Sequence, residues 1–183
     1  MAGLMKSFIK DRSIKLFMKQ EKLIKLLFEL IKNSKRSDRD LAKILGISQP
    51  TVTRLRKVLE REAIKQYTII PNLSYLGFDI LALTFFRSKE LVHPLWDKGK
   101  EWAKDQPNVV FVSTGEGIDS DALMISLHKD YADFVKFYQV FRRDWGKYLQ
   151  DFKIFLMSLS GSVIMKSFTF NYLIDAYQKG TGE

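Results

Sequence analysis

The hydrophobic pattern of this chain changes its period near residue 70. Before that point, apolar residues recur at the three- or four-residue spacing of one helix face, as Ile24, Leu27, Phe28 and Ile31 do. After it, short apolar runs of strand type alternate with helical stretches and turn residues. The chain is therefore predicted to be an α+β protein, in which a helical domain precedes a domain built on a sheet.

The net charge divides at the same place. Residues 1–70 contain 17 Lys and Arg against 7 Asp and Glu, whereas residues 71–183 contain 13 against 14. The whole excess behind the net charge of +9 thus lies in the first part. A basic module of this kind favours a polyanionic partner such as nucleic acid, although a solvated lysine-rich surface would also explain the charge.

Three helices are predicted in the basic part. A long amphipathic helix covers Ile14 to Ile31, a short helix covers Asp38 to Leu45, and a third covers Gln49 to Glu62. Ser37 is the predicted N-cap of the short helix, and Gly46 supplies the left-handed residue that ends it. A short helix, a glycine turn and a longer helix form the pattern of a helix-turn-helix.

The third helix has a basic face opposite its apolar one. Val52, Leu55 and Leu59 face inward on a helical wheel. Arg54 on the outer face can pair with guanine or phosphate, whereas lysine and arginine farther along suit phosphates. A charged face that only keeps the helix soluble is the alternative. The predicted DNA-binding residues are Ser48, Gln49, Thr51, Thr53, Arg54, Lys57 and Arg61, whereas Arg56 lies toward the core stripe and is given no DNA contact.

The second part contains six predicted elements in the order β-α-β-β-α-β. This order indicates a ferredoxin-like sandwich, with helices on one face of an antiparallel sheet. The predicted strands are Phe78–Phe86, Val109–Thr114, Ala122–Leu127 and Asp151–Leu159, and the predicted helices are Leu91–Asp105 and Tyr131–Leu149.

The aromatic tail does not belong to those six elements. Its residues from Val163 to Tyr177 are too apolar to remain in water, so we expect them to pack on the sandwich or on a partner subunit. The residues from Gln178 onward are expected to fray. The predicted domains are therefore 1–70 for DNA binding, 71–160 for the sandwich, and 161–183 for the tail.

The stretch from Leu26 to Arg87 resembles the DNA-binding half of the Lrp/AsnC transcription regulators. The resemblance implies a winged helix-turn-helix, and it extends through the ferredoxin-like part to about residue 160. It implies a sequence-specific regulator that binds double-stranded DNA. The matching pieces are Ser37-Asp38-Arg39-Asp40-Leu41-Ala42, Leu45-Gly46-Ile47-Ser48, Thr51-Val52 followed by Arg54, Leu59-Glu60 and Leu76-Gly77.

The same resemblance implies a small-molecule site and an oligomer. In the family, a loop of this kind lies near an amino-acid effector, which points to an amino-acid-like ligand here. Turn residues required by any strand-to-strand loop are the alternative explanation. Sandwiches that expose a sheet face commonly pair, so a homodimer or a higher even oligomer is expected. The implied effector residues are Thr114, Gly115, Gly117, Asp119 and Asp121.

Several classes of function are excluded by what the sequence lacks. With no cysteine and two histidines, it cannot build a thiolate zinc site or a multi-histidine metal centre. No nucleotide-binding or hydrolase motif occurs, so neither an enzyme nor a cofactor is predicted. His128 follows an apolar strand and is expected at the surface or in a capping position.

No signal peptide or membrane span is predicted. The charge-free run Ile154 to Met165 is twelve residues long, against about 18 needed to span a bilayer. A cytoplasmic protein is therefore expected. One alternative function stays open: the basic amphipathic segment Lys6 to Lys32 could lie on an anionic membrane or bind a partner protein.

Overall fold

A computed structural model describes residues 20–89, 93–161 and 164–180. The chain divides into two compact units. One unit runs to Ile70 and includes the tail from Ser167, and the other runs from Pro71 to Lys166.

The observed elements follow the predicted order. The first unit contains α1, described over 20–32, then α2 (Asp38–Leu45) and α3 (Gln49–Glu62). The second unit contains β1 (Ile80–Ser88), α4 (His93–Lys104), β2 (Val109–Gly117), β3 (Ser120–His128), α5 (Tyr131–Trp145) and β4 (Leu149–Ser158). Helix α6 (Leu173–Gly180) lies in the tail and was not predicted.

The second unit confirms the predicted α+β sandwich. Its four strands lie in the order β2-β3-β1-β4, and every neighbouring pair is antiparallel. Side chains alternate across a strand, so Phe86 and Met124 share one face, where they pack with Phe137 and Phe141 of α5. The opposite face of the sheet carries a second apolar set, which includes the half-exposed Phe155.

Several boundaries in this unit differ from the predictions, including those of β1, which runs from Ile80 to Ser88 rather than from Phe78 to Phe86. Helix α5 ends at Trp145 rather than near Leu149, because Leu149 is buried in the core as the first residue of β4. Strands β2 and β3 are longer than predicted and form a tight hairpin. Ile118 and Asp119 both have a φ of +52° at its tip, which is the backbone form that a two-residue hairpin turn requires.

The tail differs from its prediction within the described residues. It belongs to the first compact unit, and not to the sandwich. The ring of Tyr177 lies 5.5 Å from that of Phe28 on α1, and Ile174 of α6 is buried. The physical reason is that Phe28 on α1 provides an apolar side chain against which Tyr177 of α6 packs. A contact of the tail with a partner subunit stays a prediction. Of the segment expected to fray, residues up to 180 lie in α6 and 181–183 lie outside the described residues.

The expectation that His128 lies at the surface is wrong. Its side chain is completely buried at the end of β3. The strand continues to His128, so the side chain shares the inward face with Met124 and Ser126. Its Nε2 lies 2.9 Å from the hydroxyl oxygen of Ser126, and its ring is 5.0 Å from that of Phe137. Burial lowers the pKa of His128, and the nearby carboxylate of Asp133 opposes this shift without reversing it.

This burial predicts a loss of stability on mild acidification. Below the ordinary histidine pKa of about 6.5, the unfolded chain takes up a proton that the folded chain resists. The free energy of unfolding should therefore fall as the pH drops from about 7 toward the lowered pKa of His128. Urea unfolding at a series of pH values above 5 measures this. The variant His128→Gln should lose most of the slope, and an unchanged slope would contradict the assignment.

Candidate nucleic-acid interface

Helices α2 and α3 meet at a sharp turn. Local hydrogen bonds cap the start of α2 and stabilise this turn. The Ser37 hydroxyl accepts a bond from the backbone N–H of Asp40, as an N-cap does. Gly46 ends α2 with a φ of +63°, a value that glycine adopts without steric cost. The backbone N–H of Ile47 then donates to Ala42 O at 3.1 Å. The predicted bounds of both helices are therefore those observed.

A shared apolar core holds the three helices of this unit. Leu26 and Leu30 come from α1, Leu41 comes from α2, and α3 contributes Val52, Leu55 and Leu59. All six side chains are buried. The inner face of α3 is thus committed to packing, and its other face is directed outward.

The outer face of α3 carries the predicted basic residues. Gln49, Arg54, Lys57 and Arg61 are exposed. Together with Pro50 and Thr53, the first three line one shallow depression of the surface. Arg61 is set apart from them, because it lies one helical turn beyond Lys57 and pairs with Glu62. The structure therefore brings the amide, guanidinium and ammonium groups of the first three turns to one surface.

The three hydroxyl residues of the predicted set make bonds within the protein. The hydroxyls of Ser48 and Thr51 lie 2.8 Å apart at the start of α3. The Thr53 hydroxyl lies 2.6 Å from Asp38 Oδ2 and 3.2 Å from Gln49 O. A hydroxyl has one proton to donate. Thr53 uses this proton in the bond to Asp38 that joins α3 to α2, so the proton is not available for a bond to DNA.

Arg56 joins the two helices rather than facing outward. Its Nε donates to Asp38 Oδ1 at 2.7 Å, and a terminal nitrogen donates to the backbone oxygen of Arg36 at 3.1 Å. Both side chains of the pair are largely shielded from solvent. The prediction had only placed Arg56 near the core stripe. The spacing of 18 residues between Asp38 and Arg56 gives no local pattern from which the pair could be found.

The Asp38 carboxylate is the acceptor of this small network. The hydrogen bond from Thr53 and the guanidinium of Arg56 hold its pKa below the ordinary value, although burial acts in the opposite direction. A carboxylate with a lowered pKa stabilises the fold above its unfolded pKa of about 4, and this stabilisation is lost as the pH falls through the folded pKa.

The variant Asp38→Asn should therefore lower the stability of the first unit. We expect a loss of about 1–2 kcal/mol at neutral pH, since a charged acceptor of two bonds is replaced. Urea unfolding at pH 7 and at pH 3 measures it, and the difference from the parent protein should shrink at the lower pH. Glu62→Gln is the matched control, because its exposed pair with Arg61 contributes little. Equal effects of the two substitutions would contradict the network.

A family model described as winged helix-turn-helix DNA-binding matches residues 19–62. These are the residues of α1 to α3, the region whose outward face is basic. A comparison with curated proteins finds no match to the sequence.

Solved structures with similar folds cover most of the chain. The protein PH0061 is 25% identical, with a TM-score of 0.68 over 81% of this chain and 95% of its own. An AsnC family transcriptional regulator from Agrobacterium tumefaciens is 20% identical, with a TM-score of 0.68 over 81% and 93%. A transcriptional regulator from Neisseria meningitidis, solved as a complex with L-Met, is 17% identical, with a TM-score of 0.69 over 82% and 93%.

The chain has the fold of the Lrp/AsnC transcriptional regulators. The resemblance found in the sequence is thus confirmed, and the DNA-binding character of its first unit rests on the family model. The membrane or protein-interaction alternative for Lys6 to Lys32 finds no support, because Leu26 and Leu30 are buried in the helix-turn-helix core. Residues 6–19 of that segment lie outside the described residues.

The hairpin implied as an effector site is a polar corner of this Lrp/AsnC fold. Asp119 pairs with Arg87, and its other oxygen lies 3.6 Å from Lys153 Nζ. Asp121 Oδ2 accepts a bond of 2.9 Å from the backbone N–H of Ser88. Gly117, Asp119 and Asp121 line one surface depression with Arg87, whereas Thr114 and Gly115 line a neighbouring one. The structure therefore brings the five residues to one end of the sheet.

Among the described residues, no helix combines the length and apolar character needed to cross a membrane. Within the same ranges, no three histidine, aspartate or glutamate side chains are grouped closely enough to hold a metal ion.

Proposed function

We propose that this chain is a sequence-specific transcriptional regulator of Lrp/AsnC type, which places α3 in the major groove of its operator. The observation that carries the proposal is the exposed face of α3, where Gln49, Arg54 and Lys57 share one surface. Arginine and glutamine recognise guanine and adenine edges, and lysine binds phosphate. The helix-turn-helix presents such residues from the start of its second helix.

The proposal includes binding as a homodimer. Leu83 of β1 is paired with Ile125 of β3 and with Phe155 of β4, so the three side chains share the sheet face opposite the helices. Phe111 pairs with Ile125 on the same face. Phe155 is 59% exposed and Phe111 is 51% exposed. A second copy that covers this face by two-fold symmetry would remove it from water and present two recognition helices to a two-fold operator.

The proposal also includes a small-molecule effector of amino-acid type at the hairpin. The Neisseria meningitidis regulator was solved with L-Met, which supports a ligand of this class. Arg87 and Lys153 offer cationic groups there, and Asp119 and Asp121 offer carboxylates. An amino acid carries both an ammonium and a carboxylate group, so a site that contains both positive and negative charges complements it. A regulator that acts on DNA in this way would work in the cytoplasm.

Selection of bound fragments from random duplex DNA tests the proposed function. The full chain should enrich one two-fold symmetric sequence family, and its log affinity should fall steeply and linearly with log salt concentration. Enrichment of no sequence, with weak binding to all fragments, would contradict sequence-specific regulation. Titration of a panel of amino acids into the protein–DNA complex then tests the effector, and the variant Asp121→Asn should lose any response.

A further inference from the structure

A partly open apolar cavity lies in the second unit. It has a volume of about 260 Å³. Its walls come from the sheet and from the inner sides of α4 and α5, and they include Phe86, Trp96, Trp102, Phe141 and Trp145. Protein cores rarely contain voids much larger than a water molecule, and an apolar cavity of about 150 Å³ already suffices to bind benzene.

One wall of the cavity carries an unsatisfied hydrogen-bond donor. Trp145 is 6% exposed, and its indole nitrogen finds no acceptor among the residues that the structure describes. Trp102 lines the same cavity, but its indole N–H donates to Asp144 at 3.2 Å. Buried donors are almost always paired, and an acceptor on a ligand bound in the cavity would satisfy this N–H.

Gly99 keeps space open on the side of α4. It lies within the helix, where glycine is less stable than alanine. A Cβ built on it would meet Trp145 at 3.7 Å, which is an ordinary contact, so packing does not require glycine at this position. The missing side chain therefore enlarges the cavity without relieving a clash.

The charges around the cavity favour an uncharged occupant. Lys100 is the cationic residue of its lining, and it is exposed and paired with Asp97 at 3.1 Å. The other polar residues of the lining are Ser88, Ser113 and Thr114, which carry no charge. A charged group buried among these side chains would have the exposed Lys100 as its one cationic partner in the lining, so its burial is costly.

We propose that this cavity binds a small uncharged aromatic compound that carries a hydrogen-bond acceptor. Its ring packs among the tryptophan and phenylalanine side chains, and its acceptor receives the N–H of Trp145. Thr114 belongs to both this lining and the hairpin set, but Gly117, Asp119 and Asp121 do not line the cavity, and the proposal does not depend on DNA binding.

Isothermal titration of the full chain with three probes tests the proposal. Acetophenone has a ring and a carbonyl acceptor, ethylbenzene has nearly the same shape without the acceptor, and benzoate is charged. We expect saturable binding of acetophenone at one site per chain, with ethylbenzene weaker by about fivefold to tenfold, as one hydrogen bond predicts. Benzoate should be the weakest. Absence of saturable binding of acetophenone up to its solubility limit would overturn the proposal.

Two tryptophan variants distinguish the contribution of the Trp145 N–H from that of the cavity shape. Trp145→Phe should remove the preference for acetophenone over ethylbenzene and leave ethylbenzene binding within about twofold. Trp102→Phe is the matched control, because it changes the same wall but removes an N–H that already has an acceptor, and it should keep the preference. Retention of the preference in Trp145→Phe, or its loss only in Trp102→Phe, would contradict the assigned donor.

A variant that fills the cavity tests the location of the binding site without changing either tryptophan. Gly99→Leu places a side chain into the cavity from α4, and it should weaken both acetophenone and ethylbenzene by at least about tenfold. A cooperative thermal unfolding transition, followed by circular dichroism, confirms that each variant is folded. A folded Gly99→Leu protein that binds both probes with parental affinity would place them elsewhere and overturn the proposal.

Discussion

Arg54→Ala should cost about 1–3 kcal/mol of binding free energy on the selected operator and relax the preference at one base position. Arg54 is exposed, lies in the second turn of α3, and shares its surface depression with Gln49 and Lys57. A side chain near the start of a recognition helix reaches base edges, and an arginine there can bond both acceptors of a guanine. Its loss removes a contact that the wrong base does not offer.

Lys57→Ala is the matched control for this experiment. Lys57 is also an exposed cation on the same depression, but it lies one turn farther along α3, where a phosphate contact is expected. Its loss should weaken the selected site and a scrambled duplex by about the same factor. Both variants are titrated at one fixed salt concentration. An Arg54→Ala variant that weakens both duplexes equally would show Arg54 to contact phosphate, and base recognition would then fall to Gln49 or Thr51.

The helix-turn-helix could be predicted from the sequence because its signals are local. Ser37 caps a helix that begins at the next residue, and Gly46 ends it eight residues later. Each signal acts through hydrogen bonds between neighbours in the chain, so its effect does not depend on the rest of the fold. The strands β1 and β3 could also be predicted locally, because buried and less buried side chains alternate along each of them.

The features that sequence reasoning missed depend on contacts between distant residues. The pair of Asp38 and Arg56 joins two helices, and its partners are recognisable only once the helices are placed. The burial of His128 follows from one additional residue at the end of β3 and from the aromatic rings of α5 above it. The contact of Tyr177 with Phe28 joins the two ends of the chain. No periodicity within either segment contains this information.

In the candidate site, some features follow from local sequence patterns and others depend on contacts between distant residues. The outward residues of α3 follow from a helical wheel, which places Arg54 and Lys57 on the face that is exposed in the structure. The wheel does not show which of those side chains already have partners inside the protein. The Thr53 hydroxyl bonds Asp38, so this side chain is engaged within the protein although the wheel places it on the outward face.

Phe155→Asp should convert the proposed dimer into a monomer. Phe155 is the most exposed phenylalanine of the open sheet face and pairs in register with Leu83, at the centre of that face. Two-fold symmetry places two copies of the substitution in one interface, and each buried carboxylate lacks a partner. At about 2–4 kcal/mol for each copy, the dissociation constant should rise by about a thousandfold or more.

Sedimentation equilibrium of the parent and variant proteins measures this change. Gln150→Asp is the matched control, because it places the same charge on an exposed position of the same strand and should leave the dimer intact. Loss of the dimer should also weaken binding to a two-fold operator, because the second helix-turn-helix is no longer held near its half-site, whereas binding to a single half-site should hardly change. A Phe155→Asp protein that remains dimeric would show that the open sheet face is not the subunit contact, and the exposed aromatic residues of the tail, Phe168 and Phe170, would become the next surface to test.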